Sequence, residues 1–135
     1  MTDKKPDKKL NYGKTNRTKG HNAERKYAKI FRDFGFTHCK TARYASTMSD
    51  DAGIDLVFLP INVQIKAGKQ RGLNPINELK LMDGKIAELF PPDAPEHGKP
   101  NIVLIEKATG QGVKRTKYDT TVTMAFDDFI NFLTP

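Results

Sequence analysis

The chain has 135 residues, a formal net charge of +7, one Cys and no Trp. That length bounds a single domain able to bury a core without disulfides or a structural metal. The lone Cys39 rules out an intramolecular disulfide, no Cys/His cluster has zinc-site spacing, and no apolar run approaches the roughly 18 residues of a membrane span. The expectation is a cytoplasmic protein in a reducing compartment, with no secretory signal in MTDKKPDKK and no membrane partner. Neither a Walker loop nor a Gly-rich dinucleotide fingerprint occurs, so no nucleotide cofactor is expected.

In chain order, residues 1–17 read as a basic, disordered N-terminal arm, and residues 18–135 as a single domain. Residues 1–32 hold 11 Lys/Arg against three acids, whereas the rest of the chain holds 12 bases against 13 acids. The whole positive balance therefore lies at the N-terminal end, where it suits either a solubilising tail or a polyanion-binding arm. From Lys19 to Phe34, Ala23, Tyr27, Ile30, Phe31 and Phe34 recur at the spacing of one helix face, and Gly35 stops the helix. A first strand is expected within Phe36–Ala45, then a polar loop over Ser46–Gly53. Ile54–Leu59 and Ile61–Ala67 read as strands around Pro60, the second with Ile61, Val63 and Ile65 on one face and Asn62, Gln64 and Lys66 on the other. Gly68–Asn74 is a loop. Asn74-Pro75 opens a helix as cap and first residue, with Ile76, Leu79, Met82, Ile86 and Leu89 as its stripe. Ile102–Ile105 is a buried-type strand, Val113–Ala125 holds one or two more, and Phe126–Leu133 is a short helix. This order predicts an α/β protein with a mixed sheet.

The hairpin around Pro60 carries chemistry. A two-residue loop pairs Asp55 with Gln64, and a four-residue loop pairs Asp55 with Lys66. Either register brings Asp55, Gln64 and Lys66 onto one face, because directly opposed residues share a face. A carboxylate, an amide oxygen and a backbone carbonyl at Ile65 are hard-oxygen donors of the kind Mg²⁺ accepts while keeping several waters. Such a cation neutralises a phosphodiester and activates water, with Lys66 orienting or deprotonating that water or stabilising phosphate charge. The same residues would also be produced by an ordinary salt bridge on a solvated strand face. Glu24 lies at the edge of the helix stripe facing the sheet, where a half-buried carboxylate needs a partner such as Lys66, a metal-bound water, or a local Arg25 or Lys26.

Three blocks then resemble the PD-(D/E)XK nuclease superfamily, in its Holliday junction resolvase-like branch. They are Lys19-Gly20-His21-Asn22-Ala23-Glu24-Arg25, Gly53-Ile54-Asp55-Leu56-Val57, and Gln64-Ile65-Lys66, across residues 18–106. The resemblance implies a restriction-endonuclease-like αβββαβ core with a mixed central sheet flanked by helices. It implies a Mg²⁺- or Mn²⁺-dependent endonuclease that hydrolyses DNA phosphodiesters, structure-selective on branched or duplex DNA, homodimeric, and acting in DNA recombination or repair. By position Glu24, Asp55, Gln64 and Lys66 are its catalytic set. Asp55, Gln64 and the Ile65 carbonyl are its metal ligands, with Glu24 acting through water. Lys19, Arg25, Arg43 and Ser46 are placed at the DNA, to which the residues themselves add Lys40, Lys69 and Arg71 as phosphate contacts. Gln64 departs from the family acid and removes one negative charge. That leaves open a nucleic-acid-binding relative with weak or no cleavage. A basic protein-interaction domain is a third reading, outside the class.

Overall fold

A computed structural model of the protein describes residues 12–68, 72–108 and 112–133, with side chains from residue 20 onward. The elements run α1 (Tyr12–Phe34), β1 (Lys40–Thr41), α2 (Ala42–Ala45), α3 (Thr47–Asp51), β2 (Leu56–Val57), β3 (Asn62–Gly68), α4 (Pro75–Leu89), β4 (Asn101–Lys107), β5 (Thr120–Met124) and α5 (Phe126–Leu133). The protein is an α/β fold with an open five-stranded mixed sheet, ordered β1-β2-β3-β4-β5. β3 and β4 are parallel, and every other neighbouring pair is antiparallel. A parallel pair needs a crossover, and α4 supplies it between β3 and β4.

Alternation in the central strands sorts the two faces. Val63, Ile65, Ile102 and Leu104 are buried with Ala23, Tyr27 and Ala28 of α1. Across the sheet, Met82, Ile86 and Phe90 pack with Ala52 and Ile54. The strand residues Asn62, Gln64 and Lys66 alternate onto that second side. Asn62 is buried there because its amide donates to the carbonyls of Glu96 (2.9 Å) and Lys99 (3.5 Å) and to Asn101 Oδ1 (2.9 Å). α4 starts where Asn74 Oδ1 accepts from the amides of Ile76 and Asn77, with Pro75 in the first turn. Tyr27 Oη donates to Glu106 of β4, tying α1 to the sheet.

Several expectations are corrected. α1 reaches back to Tyr12, so residues 12–17 are helical rather than part of an arm. No proline interrupts that stretch, and its Lys and Arg are good helix formers. Residues 1–11 lie outside the described residues. Residues 42–45 and 47–51, expected as strand and loop, are the short helices α2 and α3. Ser46 caps α3 by accepting from the Ser49 amide. Ile30 (48% exposed) and Phe34 (81%) are not on the buried face of α1, which runs instead through Ala23, Tyr27 and Ala28. Ile76 is likewise exposed. A 3.6-residue period leaves such one-position ambiguities, and only the sheet decides which stripe is covered.

Candidate active site

β2 and β3 meet antiparallel, with Leu56 opposite Val63. Asp55 precedes β2, and three bonds hold it. Its amide donates to the Val63 carbonyl (2.8 Å), its carbonyl accepts from the Ala42 amide (2.8 Å), and its Oδ2 accepts from the Ile65 amide (2.7 Å). The carboxylate thus stands in the ladder position where a backbone carbonyl of β2 would otherwise receive the Ile65 amide. Within one strand residue N–H and C=O point toward the same edge, so the Ile65 carbonyl is directed to the side that Asp55 occupies. Burial pushes the Asp55 carboxyl up to about 7, and Glu24 and Asp50 push the same way; the Ile65 amide and the Lys66 ammonium pull it down. A carboxyl in that condition lacks enough positive charge nearby.

Gln64 stands next to it. Its Oε1 is buried without a hydrogen-bond partner among the described residues. Such an atom calls for a water or an ion. Gly53 makes room for this amide: a Cβ at position 53 would lie 3.0 Å from Gln64 Nε2, and the backbone there has φ +86°. Gly53→Ala is therefore expected to cost about 1 kcal/mol in stability from the left-handed backbone and to displace the Gln64 amide. Denaturant titration checks the first effect, and divalent-ion titration by calorimetry the second.

Glu24 is buried (5% exposed) on the inward stripe of α1. Its partner is none of those expected. Arg43 of α2 forks onto it, with Nε 3.1 Å from Oε1 and a terminal nitrogen 3.2 Å from Oε2. Burial lowers the Arg43 pKa, but the Glu24 hydrogen bonds, followed by the charges of Glu24, Asp50 and Asp55, raise it above its ordinary value. With both oxygens engaged, Glu24 reaches Asp55 as a nearby charge. Arg43→Ala leaves a buried carboxylate unpaired and is expected to cost about 2 kcal/mol by urea denaturation at neutral pH, whereas Arg43→Lys recovers only part of it because Lys lacks the fork.

Lys66 is ion-paired with an acid of α4. Its Nζ lies 3.3 Å from Glu78 Oε1, on the first turn of α4. Sequence reasoning missed Glu78. The signal was present: Glu78 precedes Met82 and Ile86 by four and eight residues, hence shares their inward stripe, on the sheet side that carries Lys66. Asp50, expected in a polar loop, lies in α3 and acts as a charge on Asp55 and Arg43.

Of the residues read as DNA contacts, Arg25 and Lys40 line a cleft of about 400 Å³ beside the site, with Arg32 and Tyr44. Ser46 is engaged in capping α3, its Oγ donating to Ser49 Oγ at 3.0 Å. The side chain of Lys19, and Lys69 and Arg71 altogether, lie outside the described residues. Cys39 is buried with a free thiol, and burial raises its pKa. Among the described residues, no three His, Cys, Asp or Glu side chains converge into a metal cage. Asp55, the orphaned Gln64 oxygen and the Ile65 carbonyl nonetheless fit a hard cation that retains water in its remaining positions. No helix of the described residues is long and apolar enough to cross a membrane. No known protein family, curated protein or solved structure matches this chain.

Proposed function

We propose that this protein is a Mg²⁺- or Mn²⁺-dependent DNA endonuclease with a restriction-endonuclease-like core, selective for branched DNA in the manner of Holliday junction resolvases. What supports the reading is an under-neutralised Asp55 bonded to the Ile65 amide, with Gln64 and Lys66 on either side of Ile65 in β3: the Gln64 oxygen is buried and unpartnered among the described residues, and the charge of the ion-paired Lys66 reaches Asp55. With the short helices α2 and α3 set aside as an insertion between β1 and β2, the element order from α1 through β4, helix, three strands, crossover helix, strand, supports the same core.

A divalent cation held by Asp55, Gln64 Oε1 and the Ile65 carbonyl would neutralise the scissile phosphate and make bound water a better nucleophile. The residues of the chain do the rest. Asp55 orients by its bond to the Ile65 amide, and Glu24 with Asp50 keeps the pocket negative enough to favour a cation. Lys66 supplies a positive group for the charge that develops on the phosphoryl oxygens as water adds to phosphorus and the bond to the leaving oxygen breaks. Glu78 keeps that ammonium in place.

A homodimer belongs to this proposal. Phe34 of α1 (81% exposed) and Phe132 of α5 (72%) line one apolar cavity with Ile30, Phe36 and Val122, a surface that a second copy would cover. Sedimentation equilibrium is expected to give twice the chain mass.

The test is incubation of the protein with four-way junction, flapped and linear DNA in Mg²⁺, Mn²⁺ or EDTA. Metal-dependent cuts near the branch are expected, with linear duplex cut more slowly. Salt-sensitive binding with no cleavage in either metal would favour the non-catalytic DNA-binding reading, for which Gln64 in place of an acid is the specific observation. Absence of DNA binding at low salt would leave only the protein-interaction reading.

A further inference from the structure

We propose that the cleft between α1 and the β1–α2 segment binds one unpaired base of a branched DNA, stacking it on Tyr44 while Arg25, Arg32 and Lys40 hold the flanking phosphates. This rests on the endonuclease reading and names which part of its substrate is recognised.

The cleft has a volume of about 400 Å³, and no acidic residue lines it. Tyr44 stands at its edge and is 85% exposed, more than any other large hydrophobic side chain among the described residues. Tyr27 is buried and donates to Glu106, and Tyr118, exposed beside Lys117 Nζ at 5.0 Å from its ring centroid, does not line this cleft. An aromatic ring left open beside three cations is the arrangement that grips single-stranded nucleic acid, because every base has a face to stack and every nucleotide a phosphate to neutralise. Arg32 is held for this task by its bond to the Cys39 carbonyl at 2.8 Å, which keeps the guanidinium beside Lys40.

A base stacked inside a duplex has both faces covered by its neighbours, so a duplex would use the cations and leave the ring idle. At a fork or flap the bases nearest the branch are open. The cleft is also joined to the cutting site: Tyr44 follows Arg43, whose guanidinium forks onto Glu24 next to Asp55. A base seated on Tyr44 would therefore fix the position of the branch relative to Lys66 and Asp55.

The experiment uses the full chain in EDTA, so that binding is read without cleavage. The probes are a forked DNA with 2-aminopurine at the branch, a blunt duplex of equal length, and poly-glutamate. Wild-type protein is expected to quench 2-aminopurine and to prefer the fork. Tyr44→Ala should weaken fork binding by roughly tenfold, abolish the quench and leave duplex affinity unchanged, while Tyr44→Trp keeps both. Lys40→Ala should weaken fork and duplex alike and flatten the salt dependence. An unchanged fork preference in Tyr44→Ala overturns the proposal, as does poly-glutamate binding as tight as the fork. If Tyr44→Ala loses the preference yet wild-type protein cuts nothing in Mg²⁺ or Mn²⁺, the cleft stands and the nuclease reading falls. If cutting persists with the preference unaltered, the cleft falls alone. Failure of the wild type to bind any of the DNAs overturns both.

Discussion

Lys66→Ala is expected to lower Mg²⁺-dependent cleavage by about 10³-fold while leaving DNA affinity in EDTA within a few-fold of wild type. The size of the effect follows from the position of Lys66: its charge reaches Asp55, and it is held 3.3 Å from Glu78. A positive group placed where charge develops acts on the transition state more than on the bound substrate, so the loss should appear in kcat rather than KM. Glu78→Gln removes the anchor and leaves the ammonium. It should reduce kcat by about 10- to 100-fold and should not affect fork preference. Gln64→Glu replaces the orphaned amide oxygen with a carboxylate, and tighter divalent-ion binding is expected by calorimetry. An unchanged metal titration would count against Gln64 as a ligand, and wild-type turnover in Lys66→Ala would remove the catalytic role of Lys66.

The second large effect is on stability, and it reverses the usual sign for removing a buried polar group. In metal-free protein the Asp55 carboxyl titrates near 7, against an ordinary value of 3.8. Between those values the folded chain holds a proton that the unfolded chain has released, so stability falls as pH rises through this window and the loss is complete above about 7. The full shift corresponds to roughly 4 kcal/mol. Asp55→Asn keeps an oxygen to accept the Ile65 amide and carries no charge. At pH 8 without metal it should therefore be the more stable protein by up to that amount, and near pH 4 the two should converge. Mg²⁺ binds the ionised form, so it should raise the Tm of the wild type at pH 8 and leave that of Asp55→Asn unmoved. Melting curves across pH, with and without Mg²⁺, read both effects. A wild type more stable than Asp55→Asn at pH 8 in EDTA would show that the pocket already neutralises Asp55.

These two predictions also separate two contributions to the site. Under the proposed function, Lys66 and Glu78 would act on the reacting phosphate, and Asp55, with Glu24 and Asp50 behind it, would hold the cation. The Arg43–Glu24 fork lies between them: it satisfies a buried acid, yet it also occupies the oxygens a metal-bound water would need. Bound cation would pull on Asp55 and Gln64 first.

Much of this was legible in the chain itself. Alternation from Ile61 to Ala67 put Gln64 and Lys66 on one face of β3, because strand side chains alternate with a period of two, and the proline between two apolar runs marked the connection from β2 to β3. Asn74-Pro75 determined where α4 begins, since that pair satisfies the orphan amides of a helix start by local bonds alone. Other features depended on the fold. Arg43 as the partner of Glu24 and Glu78 as the partner of Lys66 join residues 19 and 12 positions apart, across elements whose relative placement no local pattern encodes, and the same placement leaves the Tyr44 ring open. Short helices such as α2 and α3 carry too few residues to show a period, and an α1 stripe can slip by one position until a sheet covers it. Local hydrogen bonding and periodicity are written in neighbouring residues, whereas the choice of partner for a buried charge is made only when distant segments exclude water together.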